Sequence, residues 1–303
     1  MARDRYDDDD DRPRRRRDED EDDRPRSRRR RDEDDDDDRP RRRSRRDDDD
    51  FDRPPPKKSG SGKVLFIVLG IVGFLGVLFV VGAFFAVSKV REAAARMQAT
   101  NNQKQLGLGL HNYESANGNL PGPFVDPVPG SPPLANPADR LSWRAEVLPY
   151  LEQGNLYQAL QRGQAWNSPA NTPLTSTHVK PYGDPQDPAD ANTRYRCFYD
   201  NGALFSSNPR DRVSFVDIAD GSSNTIMFAE SAERVPWAQF NEWAYSPGTP
   251  PPALGHPSRD VFMVCMADGS VRMVKKTVSP ATLNAAITRK GGDVLGPDWP
   301  TTR

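Results

Sequence analysis

Apolar and polar positions are distributed very unevenly along the chain. Residues 1–62 are charged or polar almost throughout. The stretch from Val64 to Val87 follows, with 24 consecutive residues that carry no charge. As a helix, such a stretch spans about 36 Å, which exceeds a hydrocarbon core of about 30 Å. Because a buried helix in a soluble protein is rarely apolar on every face, the pattern predicts one transmembrane helix over residues 63–88.

The apolar pattern continues beyond this span with helical spacing. Apolar or small side chains recur at Val90, Ala94, Met97, Leu106, Leu110 and Tyr113, as on one face of a helix. Gly118 can adopt the left-handed conformation that closes a helix, and Pro121 blocks its continuation. We therefore predict that the transmembrane helix extends outward as one long amphipathic helix that ends near Asn117.

Short runs with β character follow in the second half of the chain. They lie at residues 195–199, 213–216, 225–230, 261–267 and 270–274. The last two flank Asp268-Gly269, a strong hairpin signal. Helices are expected over residues 143–160, with an interruption at Pro149, and over residues 282–288. The fold class is thus predicted as α+β, and residues 89–303 are assigned to a head with a small antiparallel sheet packed against the long helix.

Charge separates the N-terminal stretch from the rest. The chain has 43 Lys and Arg and 44 Asp and Glu residues, so the formal net charge is near zero. Residues 1–62 alternate blocks of Asp with blocks of Arg and hold few apolar side chains, which predicts a disordered polyampholyte tail. One interpretation is that the Arg blocks bind RNA, anionic lipid headgroups or an acidic partner, for which the Asp blocks compete; we favour a solvated tail and expect no nucleic-acid partner.

The basic residues beside the span indicate its orientation. Four precede it, and three follow within about 15 residues: Arg53, Lys57, Lys58 and Lys63 before, and Lys89, Arg91 and Arg96 after. This small excess, together with the cost of moving the charged tail across a bilayer, predicts a cytoplasmic N-terminus. The expected location is the inner membrane, with the head in the periplasm or facing the envelope.

Few residues are candidates for catalysis or metal binding. The three histidines are isolated from one another and from cysteines, so no metal-ligand spacing is present. The loop Asp217–Thr225 holds carboxylates and hydroxyls, and it has three interpretations. The first is a serine-based hydrolase site, the second is a Ca²⁺ loop with ligands from Asp217 and Asp220, and the third is a turn stabilised by Asp and Ser side chains. We favour the turn, and we expect no enzymatic activity and no cofactor.

Four ordered motifs resemble a known family. They comprise Asn101, Asn102, Gln105, His111, Asn112 and Tyr113; Trp143, Arg144, Pro149 and Tyr150; Asp220, Gly221, Ser223, Asn224, Thr225 and Glu230; and Asp268, Gly269 and Ser270. Together they are similar to the planctomycete domain of unknown function 1559 family. Its members often have a prepilin-type N-terminal helix, like type II secretion pseudopilins. The resemblance implies a pilin-like head, with other pilin-like or envelope proteins as partners.

Cys197 and Cys265 are the only cysteines. In an oxidising envelope compartment they either form a disulfide or remain a free buried pair, and the residues alone leave both alternatives open. The family resemblance implies a further cysteine in the long helix, where this chain has Ala99, so under that resemblance Cys265 is the one partner left for Cys197.

These patterns together predict a single-pass membrane-anchored, pilin-like structural or interaction protein of the bacterial cell envelope. The lipid bilayer is its first expected partner. The alternative is a membrane-anchored envelope hydrolase that uses the loop Asp217–Thr225.

Overall fold

One long helix runs through the N-terminal part of the structure. The computed structural model describes residues 61–126, 134–186 and 190–300, so the predicted charged tail lies outside the described residues except for its last two positions. Helix α1 extends without interruption over Ser61–Asn117. Gly118 closes it in the left-handed region, with φ of 75°, and donates its N–H to the Glu114 carbonyl at 2.7 Å. The predicted continuation of the apolar helix and its end are confirmed.

The remaining elements are short helices and strands. The α-helices are α2 (Trp143–Val147), α3 (Gly154–Ala159), α4 (Thr172–Thr175) and α5 (Pro280–Ile287), and 3₁₀ turns occupy Pro137–Asp139, Leu148–Leu151, Lys180–Tyr182 and Phe215–Asp217. The strands are β1 (Asn192–Arg196), β2 (Phe198–Tyr199), β3 (Ile226–Pro236), β4 (Trp243–Ala244), β5 (Val261–Met266) and β6 (Val271–Lys275). Pro149 interrupts the helical region after α2, as its missing N–H predicts.

Four strands form an antiparallel sheet in the order β1-β3-β5-β6. The predicted hairpin joins β5 to β6, and Gly269 adopts φ of 79° in its turn. Strands β2 and β4 form a separate parallel pair. The mixed helix and sheet content and the small antiparallel sheet confirm the coarse α+β prediction.

Both faces of the sheet are covered, and strand β5 shows how. Phe262, Val264 and Met266 belong to an apolar cluster with α5. Cys265, between them, belongs to a second cluster that includes Leu106 of α1. Since side chains alternate across a strand, α1 and α5 pack on opposite faces.

One predicted strand, residues 213–216, is wrong. Its second half is the 3₁₀ turn Phe215–Asp217, closed by a capping box in which the Ser214 N–H donates to the Asp217 carboxylate at 2.9 Å. Glu114 of α1 accepts a hydrogen bond from the Ser214 hydroxyl and another from the Phe215 N–H at 3.4 Å. These side chains bind the backbone groups that a sheet ladder would use.

The strand after the Asp217–Thr225 loop is longer than predicted, and another predicted strand is divided. Strand β3 continues to Pro236 because its distal half pairs with Asn192 and Thr193 of β1. The predicted run 195–199 is broken at Cys197, whose N–H donates to the Glu242 carboxylate at 2.7 Å. A side-chain acceptor thus replaces a strand partner at that position.

Candidate functional site

The N-terminal part of α1 is not covered by any other described part of the chain. No residue of the segment 63–98 is buried, and we call this segment the bare helix. In the described part of the chain, α1 is the one helix that is long and apolar enough to cross a membrane, and its most apolar stretch is entirely unburied. Large apolar side chains such as Phe66, Phe79 and Phe84 are 72–78% exposed.

Charged residues appear on the bare helix directly after the apolar span. Glu92 forms an ion pair with Arg96, with an N–O distance of 2.7 Å, and a longer one with Lys89 at 3.8 Å. All three side chains are exposed to solvent. Such i,i+3 and i,i+4 pairs support the helix only weakly, so this segment is a helical connection between the apolar span and the head.

The head begins to cover α1 at Ala99, which is 3% exposed. The Tyr195 hydroxyl donates to the Ala99 carbonyl at 3.4 Å, and the Asn102 amide donates to the Gly183 carbonyl at 3.2 Å. Asn102 is therefore a structural residue that connects α1 to the loop before β1. Asn101, Gln105 and Asn112 of the same motif lie on the solvent side of α1.

Arg144, at the start of the second motif, is the centre of a buried network. Its guanidinium forms an ion pair with Glu242 at 2.8 Å, and both side chains have no exposed area. It also donates to the carbonyls of Trp237 at 2.7 Å and Tyr195 at 2.6 Å. Glu242 in turn accepts from Ser142 and from the Cys197 N–H. Because its two charges are paired with each other and further hydrogen-bonded inside the head, this network holds α2 against the strand ends.

Trp143, the neighbour of Arg144, fills the core next to this network. Its ring lies 5.5 Å from that of Phe205 and 6.0 Å from that of Phe228. No sequence pattern predicted Glu242 as the partner of Arg144, because the two residues are far apart in the chain and no local signal connects them.

Glu230, from the third motif, forms a second buried ion pair. It lies 3.3 Å from Arg259 and accepts the Met263 N–H at 3.2 Å. Burial raises the pKa of Glu230, although Arg259 and the Met263 N–H act in the opposite direction. Nearby, Asp184 pairs with Arg194 at 2.7 Å. Burial alone would raise the pKa of Asp184, but the Gln186 N–H and Arg194 hold it below its usual value.

The loop Asp217–Thr225 uses its polar atoms to hold local structure. The Asp220 carboxylate accepts the N–H groups of Gly291 and Gly292 at 2.7 and 2.8 Å. Asp217 caps the turn at Ser214 and lies 3.6 Å from Lys290. These contacts agree with the interpretation as a stabilised turn.

The third and fourth motifs meet through backbone contacts. The Asn224 amide donates to the Asp220 carbonyl at 3.0 Å. The Asp268 N–H donates to the Ser222 carbonyl at 3.1 Å, and the Ala267 N–H donates to the Thr225 carbonyl at 2.8 Å. The loop is thereby fastened to the β5–β6 hairpin, at the side of the sheet that faces α1.

The three histidines make different contacts in the structure. His111 stacks on Phe215, with ring centroids 4.1 Å apart, and its buried Nε2 atom has no hydrogen-bond partner among the residues that the structure describes. His178 contacts the Asp190 carbonyl at 2.9 Å, and His256 contacts the Ser258 hydroxyl at 2.7 Å. Across residues 61–126, 134–186 and 190–300, no three His, Cys, Asp or Glu residues are grouped for metal binding. No contact in these ranges favours the hydrolase alternative.

Cys197 and Cys265 are both free and buried in the structure. Cys197 directly follows β1, Cys265 lies in β5, and β3 runs between them. Two strand spacings place their backbones roughly 10 Å apart, beyond the reach of a disulfide. Burial raises the pKa of both thiols well above the usual value. Of the two alternatives, the structure thus has the free buried pair.

The family model described as "Protein of unknown function (DUF1559)" matches residues 88–249, more than half of the chain. The chain belongs to this family. The matched region of this DUF1559 protein begins at the last residue of the predicted span and contains the first three motifs, whereas Asp268–Ser270 lies beyond it. No curated protein and no solved structure shows significant similarity to the chain.

Proposed function

We propose that this DUF1559 protein is a single-pass membrane-anchored, pilin-like structural or interaction protein of the bacterial cell envelope. One observation supports this proposal most directly. Helix α1 is unburied over residues 63–98 and packs into the head from Ala99 onward. The same helix therefore has an apolar part that the described residues leave uncovered and a part that belongs to a folded domain.

Physical chemistry favours a bilayer as the surroundings of the apolar part. Burial of a Val, Leu, Ile or Phe side chain is worth about 1.5–3 kcal/mol each, and the segment Val64–Val87 consists largely of such residues. A helix also satisfies its own backbone hydrogen bonds, as the hydrocarbon region requires. The first charged residue after the span is Lys89, at a distance that suits the headgroup region.

The pilin-like part of the proposal concerns architecture. A long N-terminal helix whose outer part packs on an antiparallel sheet resembles the plan of a pilin subunit. The head uses its buried ion pairs and core residues for folding, which suits a structural or interaction role. The orientation in the proposal, with the N-terminus in the cytoplasm and the head in the periplasm, rests on the flanking charges and on the charged tail.

Site-directed thiol labelling in cells tests this topology. Val216 is 91% exposed on the head, so Val216→Cys gives a reporter there, and Ser44→Cys gives one in the tail. The native thiols are buried and have raised pKa values, so their background reaction is slow. A membrane-impermeant maleimide applied to intact spheroplasts is expected to label the Val216→Cys variant and to label the Ser44→Cys variant only after lysis.

Two outcomes would contradict the proposal. Labelling of Ser44→Cys alone in intact spheroplasts would reverse the orientation. Release of the full-length chain by alkaline extraction of membranes would reject the membrane anchor itself. The unsubstituted chain is the control for labelling, because its two cysteines should react only after unfolding in urea.

A further inference from the structure

Three tyrosines and a glutamate lie together near the C-terminal end of α1. Tyr113 on α1 packs edge to face with Tyr150, with ring centroids 5.8 Å apart. The Tyr157 hydroxyl, on α3, donates to the Glu146 carboxylate on α2 at 3.0 Å. We call Tyr113, Tyr150, Tyr157 and Glu146 the tyrosine cluster. All four side chains are partly exposed, so the cluster lies at the surface and outside the buried networks described above.

The guanidinium group of Arg162 lies against this cluster. The guanidinium carbon of Arg162 is 4.9 Å from the centroid of the Tyr157 ring. One of its N–H groups donates to the Tyr157 hydroxyl at 2.7 Å. The side chain is exposed. Arg162 therefore binds through the end of a long flexible side chain that is free to move aside.

The electrostatics of the cluster suit a positive charge. Burial, and then the charge of Glu146, raise the pKa of Tyr157 to about 12, and the same two causes raise that of Tyr113 further. The hydroxyls therefore stay neutral at physiological pH. Asp126 adds a second negative charge near enough to help raise the pKa of Glu146, for which burial is the main cause. Ring faces and carboxylates both attract cations.

We infer that the tyrosine cluster is a binding site for a guanidinium group, which Arg162 occupies in the free protein and an external guanidinium displaces. The geometry of Arg162 itself selects this chemistry. A guanidinium is planar, so it can lie on a ring face while its N–H groups donate to a hydroxyl or carboxylate, and an ammonium group lacks this combination. The ligand is an arginine side chain of a partner protein or a small guanidinium compound. This inference does not depend on the membrane anchor.

Substitution of Arg162, which occupies the site in the free protein, gives the sharpest test of the guanidinium site. The full chain, in detergent micelles and with ¹³C-labelled tyrosine rings, is titrated with N-acetyl-arginine amide and observed by NMR. Tyr→Phe variants assign the three ring signals. Because an internal competitor lowers apparent affinity by the fraction of time it occupies the site, Arg162→Ala is expected to bind the amide about tenfold more tightly than the parent chain. Arg210→Ala, which removes another exposed arginine, is the matched control and should leave the affinity unchanged.

Additional titrations separate the alternatives. In the Arg162→Ala background, Glu146→Gln should weaken binding, and N-acetyl-lysine amide should bind more weakly than the arginine amide. Binding of the amide but not of free arginine would assign the site to a protein-borne arginine, and equal binding of both would assign it to a small guanidinium compound. If Arg162→Ala binds no tighter than the parent chain, or if the lysine amide binds as well, the inference is wrong. Near-ultraviolet circular dichroism verifies that each variant is folded.

Discussion

The bare helix and the part of α1 inside the head belong to one continuous helix, yet their side chains have opposite surroundings. At Gly70, Gly73 and Gly76 of the bare helix, an added Cβ would have no atom of the described residues within 4 Å. In the head, a Cβ on Gly107 would lie 2.9 Å from the Cys265 sulfur, and one on Gly109 would lie 2.8 Å from Val147. The same residue type is therefore a free position in one region and a close packing contact in the other.

This difference shows which property of the sequence matters in each region. In the apolar part of the bare helix, every face is left uncovered by the described residues, so overall apolarity matters more than the position of any one residue. In the head, the position of each residue around the helix matters, because one face meets the sheet and the other meets water. Matched pairs of substitutions, one in each region, can test the contrast.

The largest difference is expected between two arginines. Arg144→Ala leaves the buried Glu242 charge without its partner and should lower the free energy of unfolding by about 3–5 kcal/mol. Arg96→Ala removes only an exposed pair with Glu92 on the bare helix and should cost at most about 0.5 kcal/mol. Urea unfolding of both variants in micelles, followed by near-ultraviolet circular dichroism, measures the difference. Equal effects would mean that the Arg144 network contributes nothing to the fold.

Two leucines of α1 give the next comparison, within a single turn. Leu110 has no exposed area, whereas Leu108 is 61% exposed. Leu110→Ala should cost about 2–5 kcal/mol through lost burial and a new cavity, and Leu108→Ala should stay within about 0.5 kcal/mol of the parent chain. The same unfolding measurement applies. A large effect of Leu108→Ala would show that its side of α1 is covered.

Two glycines extend the test to close packing. Gly107→Ala should destabilise the head by about 1–3 kcal/mol, since the added methyl group forces Cys265 or the sheet to shift. Gly76→Ala, in the bare helix, should leave unfolding of the head unchanged. The additional substitution Cys265→Ala removes the contacting sulfur, so it should recover part of the loss caused by Gly107→Ala. Absence of any recovery would place the strain elsewhere.

The smallest expected effect is on the pH dependence of the free energy of unfolding, and it concerns the Glu146 carboxylate in the head. Its pKa is raised in the folded chain, mainly by burial. Its favourable contribution is therefore present below the ordinary pKa of glutamate and is lost as the pH rises through the raised value. Glu146→Gln should remove this part of the pH dependence, whereas the exposed Glu92→Gln should not. Unfolding at a series of pH values between about 4 and 7 covers the ordinary glutamate pKa and the range above it. If the free energy of unfolding had the same pH dependence in both variants, the expectation would be contradicted.

Sequence patterns predicted the elements that depend on local signals. The uncharged run Val64–Val87, the cap at Gly118, the break at Pro149 and the hairpin at Asp268-Gly269 all appear in the structure where they were expected. Each depends on residues within a few positions of one another. The prediction failed at residues 213–216, because Glu114, far away in sequence, binds backbone groups of that segment.

The motif residues show the same limit. Their positions are evident in the chain, but their roles depend on partners that the chain order does not indicate. Arg144 requires Glu242, and Cys197 is kept from Cys265 by the strand between them. The tyrosine cluster assembles from α1, α2, the turn after α2, and α3, and only folding brings its members together.

The sequence by itself thus determined that the chain has an apolar helix able to span a bilayer, a continuous extension of that helix and an α+β head. Composition and short-range periodicity are sufficient for those features, because solvation and helix geometry act residue by residue. Only the tertiary structure decided where the head begins to cover α1, which charges are paired inside it and where a surface cation lies. Those outcomes depend on contacts between segments far apart in the chain, which no local pattern specifies.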